Sequence, residues 1–412
     1  MKTVKVKLIN KANARGGNHR PEFRIPGSNA LDGAERSIAT AIYDFLNVIP
    51  EKRVLEILRS PTAYQTRFQD YLTDVSAEYL DDMARGIFNG WAEGARFGAE
   101  MIRQGLNTAL RRAGSDLRIV SNKRESPRFV TKSIDETEWS ITVGNFDTQP
   151  ENMEGKVYAR FRSAKIFADL TDDIVLNIET AIANGFRARQ AFATGRTVTG
   201  LTPDQTARAL YGILAEISPV GASSVTGADY ASKIVPNVNG LTPEWARAVE
   251  NNMNAVAAQQ LNAGVPPAQA LARVERAGRI YGNKLRRARA RRIARTEISF
   301  AQNRAQQDMY VQAVNDGIVS LDDQKEWITG PYDVCNICVP MGGTQVPVTG
   351  VFTLPNGNQE EYPPAHPNCR CVTRLVPSFI DQPKRIGTNT PDDPYRYEFP
   401  GGFVADVTAV KR

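Results

Sequence analysis

The stretch PAHPNCRCV, Pro364 to Val372, places His366, Cys369 and Cys371 within six residues. The whole chain of 412 residues carries only 2 histidines and 4 cysteines. The other two cysteines, Cys335 and Cys338, stand about thirty residues upstream in DVCNIC, residues 333–338. A Cys-x-x-Cys turn lets two thiolates reach one ion from a tight loop, and His366-x-x-Cys369 repeats that spacing. Zinc takes four ligands in a tetrahedron, chiefly sulfur and nitrogen. The spacing therefore predicts a zinc centre drawn from Cys335, Cys338, His366, Cys369 and Cys371. Five candidates for four positions leave one spare, and a spare cysteine packs as a small apolar side chain.

Two other readings use the same residues: a reduced cysteine-rich turn held by ordinary packing, and a pair of disulfides. No secretory signal is apparent, so a reducing cytoplasm is expected, where clustered cysteines hold metal rather than pair. With several thiolates, one local histidine and no HExxH pattern, the expected site is closed and structural, with no catalytic residue set. Gly342-Gly343, Gly350 and Asn356-Gly357 let the intervening loop fold as short hairpins. That loop has few apolar residues of its own, so ion binding would contribute folding energy. The predicted fold is mainly α and multi-domain, with a small α+β zinc-stabilised C-terminal module.

Upstream of the cysteines, PPAQALARVERAGRIYGNKLRRARARRIARTEISFAQNRAQQDMYVQAV reads as one long helix, with Gly278 and Gly282 as points where it could bend and Gly317 as its stop. Within it Lys284, Arg286, Arg287, Arg289, Arg291, Arg292 and Arg295 occur with no acid among them. Lys284, Arg287, Arg291 and Arg295 share one helical face. These seven cations are candidates for an acidic protein surface or a phosphate backbone; the plainer reading is a solvated face whose arginine stems cover apolar neighbours. Arg295-Thr296-Glu297 follows as a candidate tie between helix and metal module.

The remaining chain divides by texture. Residues 1–30 form a basic arm broken by Gly16-Gly17, Pro21 and Pro26. Residues 31–116 read as helical, with Ile38, Ile42, Phe45, Leu46 and Ile49 at helical spacing. Gly86, Gly90, Gly94 and Gly98 then recur every four residues. Each costs a helix about 1 kcal/mol relative to alanine, so the stripe implies close approach of another helix, from this chain or another subunit. Residues 117–165 form a small β-containing region, with Trp139–Val143 alternating as a strand does. Residues 166–264 return to helix. There Thr171-Asp172-Asp173 reads as a helix start, and GLTP at 200–203 and 240–243 supplies two more: threonine as N-cap, proline as first helical residue. Residues 219–233, rich in Gly and Ser, read as a loop. The module-bearing domain spans 265–376, and the proline-rich tail 377–412 is expected to be an extended strap or partly disordered. The net charge of +6 and pI near 9.1 permit an acidic or nucleic-acid partner without requiring one. No apolar run is long enough to span a membrane.

RRIARTEISFAQNRAQQDMY, then KEWITGPYDVCNIC, MGGTQVPV and PPAHPNCRCVTRLVP, together resemble the phage Mu protein F-like family of head morphogenesis proteins. The likeness covers about residues 265–377, and the order of motifs is the family's. It implies a minor capsid protein of a tailed bacteriophage. Such a protein would act in prohead assembly with portal, major capsid or scaffold proteins as partners, and with packaged double-stranded DNA as a further contact. It would locate to the virion, and to the host cytoplasm during assembly. It implies no membrane association and no small-molecule substrate. The family's suspected ligands fall on Cys335, Cys338, His366, Cys369 and Cys371.

Overall fold

A computed structural model describes residues 28–47, 53, 56–57, 64–112, 117–122, 125–132, 138–142, 153–194, 227–315, 317, 319–330, 334–377, 384–386, 396–398 and 404–410. The chain is mainly helical, with its strands in a small C-terminal region and in one further sheet. It divides into two compact units. The helical unit takes in Glu35–Gly86 and Tyr158–Ala294; the strand-bearing unit takes in Met1–Ala34, Ile87–Val157 and Arg295–Arg412. No described helix is long and apolar enough to cross a membrane.

Five helices contribute to the helical unit: α1 (Ser28–Leu46), α2 (Tyr64–Arg112), α3 (Met153–Thr194), α4 (Gly227–Val238) and α5 (Pro243–Asn262). The sixth, α6 (Pro267–Asn315), contributes its first half. The apolar face of α1 behaves as its spacing predicts: Ile38, Ile42, Phe45 and Leu46 are fully buried. Phe45 packs edge-on against Phe167 of α3, with ring centroids 4.9 Å apart. Helix α5 begins at the second GLTP. Thr242 is the N-cap, its hydroxyl accepting from the Trp245 N–H at 3.4 Å, and Pro243 opens the first turn. Gly240 before it has φ +65°, and a Cβ there would fall 2.1 Å from Leu46 Cδ2, so only glycine fits.

The first GLTP and the arm through residue 27 lie outside the described residues. Among these helices three expectations change. Thr171 starts no helix: it is buried inside α3, because Ile166, Phe167, Leu170, Ile174 and Ile178 continue one apolar face through it. The same helix begins at Met153, within the region expected to carry strands. Helix α4 begins at Gly227, within the expected loop, and buries Tyr230, Ala231, Ile234 and Val235.

In the strand-bearing unit, the second half of α2 lies against the second half of α6. The glycine stripe makes this approach. A Cβ on Gly94 would stand 2.3 Å from the Gln302 carbonyl oxygen, and Gly90 and Gly98 face Ile298 and Gln306 in the same row. Helix α6 runs unbroken through Gly278 and Gly282 and stops before Gly317, which has φ +70°.

Strands β1 (Leu117–Asn122), β2 (Glu125–Lys132) and β3 (Glu138–Thr142) form an antiparallel meander. The tail is not a mere strap. Its β9 (Lys384–Ile386), β10 (Arg396–Glu398) and β11 (Val404–Val410) extend that meander into a six-stranded sheet of order β1-β2-β3-β11-β10-β9. The tail's Pro383, Pro391, Pro394 and Pro400 lie outside the described residues.

The cysteine module follows α6. Strand β4 (Gln324–Ile328) pairs antiparallel with both β5 (Gln345–Pro347) and β8 (Val372–Val376). A short hairpin of β6 (Phe352–Thr353) and β7 (Gln359–Glu360) turns at Gly357, φ +84°.

Candidate metal centre

Loops carry the two ligand turns, one between β4 and β5 and the other between β7 and β8, and the sheet and α6 position both. The Cys335–Cys338 turn closes with the Cys338 N–H donating to the Cys335 carbonyl at 3.0 Å, then runs into a 3-10 turn, Val339–Met341. The His366–Cys369 turn leads directly into β8. The module is less poor in apolar contacts than its sequence suggests. Trp327, Cys338, Met341, Phe352, Leu354, Cys369 and Cys371 form a buried cluster, with Trp327 edge-on to Phe352 at 5.1 Å.

The structure brings all five predicted donors into this cluster. Cys335, Cys338 and His366 offer donor atoms within 4.8 Å of one another, and so do Cys338, Cys369 and Cys371. Cys338 belongs to both triads. His366 Nε2 lies 2.9 Å from Cys335 Sγ and 3.2 Å from Cys338 Sγ, and Cys338 Sγ lies 3.7 Å from Cys369 Sγ. The last distance matches the sulfur–sulfur edge of a tetrahedral site with bonds of about 2.3 Å. None of the four cysteines is in a disulfide. The cavity among them is lined also by Gly330, Val334, Asn368 and Arg370.

The thiols show what the cluster lacks. Cys369 is drawn down to about 5, first by the hydrogen bond from the Cys371 thiol and then by backbone groups of Cys371 and Ala365. Cys371 is pushed upward chiefly by that same bond, and Cys338 is raised to about 12 by burial and by the charge on Cys369. The protein alone thus stabilises one thiolate and resists a second. A divalent cation would supply positive charge here, and its binding would expel the remaining thiol protons. The donor set, sulfur and imidazole nitrogen only, fits a metal ion, and this Cys/His site could hold one.

Helix α6 grips the ligand-bearing segment through polar side chains that its sequence would place in solvent. Asn303 Nδ2 donates to the Cys371 carbonyl at 3.2 Å, Gln306 Nε2 to the Thr373 carbonyl at 2.7 Å, and Gln307 Nε2 to the Val348 carbonyl at 2.9 Å. The first two cover the free edge of β8, whose alternate carbonyls would otherwise be buried without partners. Gln307 Oε1 also accepts from Lys325 Nζ, at 3.0 Å. The tie expected at Arg295-Thr296 exists: Arg295 Nη1 donates to Asn368 Oδ1 at 3.0 Å, and the Asn368 N–H donates to Thr296 Oγ1 at 2.9 Å. Asn303, Gln306, Gln307 and Asn368 were not singled out in the sequence. For the first three the only signal is amides three and four residues apart on a helix.

The seven cations of α6 do not act as one surface. Arg286 and Arg289, both buried, serve the helical unit. Arg286 donates to Asn239 Oδ1 at 2.8 Å and to the Pro236 carbonyl, and burial lowers its pKa to about 10. Arg289 donates to the Gly240 carbonyl at 2.7 Å and pairs with Asp173. Neither can meet a partner. Their length lets a buried stem deliver the head to backbone carbonyls. Arg287 lies over the Tyr43 ring and Arg292 over the Trp245 ring, both still exposed, as are Lys284 and Arg291. Arg295 is half-buried against Asn368.

Comparison with protein-family models, curated proteins and solved structures finds no match to this chain. The likeness to the phage Mu protein F-like family therefore rests on the motifs themselves.

Proposed function

We propose that this chain is a minor capsid protein of a tailed bacteriophage, acting in head morphogenesis, with a closed structural zinc centre. One observation carries the reading. The segments whose order resembles the family meet in one body: Trp327 packs among Cys338, Cys369 and Cys371, while Arg295 and Thr296 hold Asn368 between two candidate ligands. Zinc is favoured by a donor set of thiols and one imidazole without a carboxylate. A structural role is favoured by the burial of Cys338, Cys369 and Cys371, which leaves little room for a substrate.

In this reading the partners are portal, major capsid or scaffold proteins. The exposed Lys284, Arg287, Arg291 and Arg292 are the surface for an acidic partner or for packaged double-stranded DNA. Those exposed cations also favour a second reading, a zinc-containing DNA-binding protein, which requires saturable duplex binding that weakens steeply with salt. Quantitative mass spectrometry of purified particles, scaled to portal subunits, tests the first. A few copies per portal ring are expected. Absence from particles made in cells that contain the protein would overturn it.

A further inference from the structure

His366-Pro367-Asn368-Cys369 is a type II turn. Asn368 has φ +66°, and the Cys369 N–H donates to the His366 carbonyl at 3.2 Å. A left-handed residue at the third position after a proline at the second is the mark of that turn, since proline excludes the mirror form. Types I and II differ by a flip of the central peptide, here the one joining Pro367 to Asn368. Two contacts hold this peptide in the type II sense. On one side its N–H donates to Thr296 Oγ1 at 2.9 Å; on the other its carbonyl accepts from His366 Nδ1 at 2.9 Å. An imidazole that donates through Nδ1 turns a lone pair outward on Nε2. That nitrogen is the one facing Cys335 and Cys338.

We propose that the Thr296 hydroxyl is a positioning residue for the metal centre. By fixing the Pro367–Asn368 peptide it sets the tautomer and orientation of His366, so that Nε2 is ready to ligate before an ion arrives. The inference rests on the metal reading above and adds the element that prepares the site. Thr296 sits on α6, outside the ligand loops. Its own side chain is not a ligand; it acts through the peptide and the imidazole, as outer hydrogen-bond partners of ligating histidines do. Arg295, bonded to Asn368 Oδ1, supports the same turn from its exposed side.

The test uses the full chain, reduced and stripped, titrated with zinc against a chromophoric indicator. Thr296→Val keeps the shape and removes the acceptor; it is expected to weaken zinc binding by about 10- to 100-fold, with Thr296→Ser restoring it. Long-range proton–nitrogen NMR reads the imidazole directly, since only 2 histidines are present. The metal-free parent should hold His366 with the proton on Nδ1, and Thr296→Val should lose that preference. Should the valine variant fail to fold, the exposed Asn368 supplies a milder pair: both variants lose the Arg295 bond, and Asn368→Ala, strained at positive φ, is expected to weaken zinc binding more than Asn368→Gly, an equal effect counting against the inference. Zinc affinity unchanged in Thr296→Val, or equally weak in Thr296→Ser, overturns the inference alone. A parent that binds no zinc overturns the metal reading and this inference with it.

Discussion

Replacing Gly94 by alanine tests the contact on which the strand-bearing unit's helices depend. The new methyl would stand 2.3 Å from the Gln302 carbonyl oxygen, 2.6 Å from its Cα and 2.8 Å from its carbonyl carbon. All three are backbone atoms of α6, so no rotamer change relieves them. The two helices must separate by roughly 1 Å to regain ordinary contact distances. Overpacking of this kind costs about 1–3 kcal/mol, and Gly94 belongs at the top of that range because its neighbour is rigid. The gain in helix propensity returns about 1 kcal/mol. Gly94→Ala should therefore destabilise the unit by about 2 kcal/mol. Gly33 is the control. It lies in the same unit, in α1, with nothing within 4 Å of its would-be Cβ. Gly33→Ala meets only the propensity term and should stabilise by about 0.5–1 kcal/mol. Urea unfolding followed by circular dichroism at 222 nm reads both. A Gly94→Ala midpoint at or above the parent's would refute the close approach of α2 and α6.

Two further substitutions separate buried from exposed charge. Arg289→Ala strips the Gly240 carbonyl and Asp173 of their partner and should cost about 2–3 kcal/mol, whereas exposed Arg291→Ala should stay within about 0.5 kcal/mol in the same urea titration. Equal effects would mean that Arg289 is not buried as described. Lys325 offers a pH test. Burial lowers its pKa to about 8, with Glu361 pulling weakly the other way. The folded value lies below the ordinary 10.5, so between those values the unfolded chain binds more protons and stability rises with pH. The parent should gain on Lys325→Met in urea midpoint from pH 8 to pH 10; a flat difference would show that Lys325 is not desolvated.

The cysteine module was legible because its chemistry is local. Two turns of CxxC and HxxCxC type announce their donors whatever surrounds them. The apolar face of α1, the helical run of α6 and the N-cap at Thr242 were legible for the same reason, since spacing and capping act over one or two turns. Elsewhere tertiary context decided. The glycine stripe announced a close helix without naming it, because any backbone can fill that groove; here it is the Ile298–Met309 segment of the same chain. Thr171 looked like a cap because a hydroxyl and two acids suit a helix start, but the apolar face running through it buries it within α3. Arg286 and Arg289 looked like surface because charge usually is; their carbonyl partners lie some fifty residues upstream and are invisible to periodicity. Asn303 and Gln306 were not singled out, because the strand edge they cover exists only once β8 is in place. In the tail, Val404–Val410 alternates as a strand does, but the prolines before it dominate the composition.

The central claim is that Cys335–Cys338 and His366–Cys371 close around one divalent ion. Elemental analysis with X-ray absorption, on full-length protein purified without added metal, tests it most directly. The account predicts one zinc per chain, ringed by sulfur at about 2.3 Å and nitrogen at about 2.0 Å, and lost from Cys338→Ser, the cysteine common to both triads. Protein that holds no metal, or a metal with an oxygen-only shell, would contradict it.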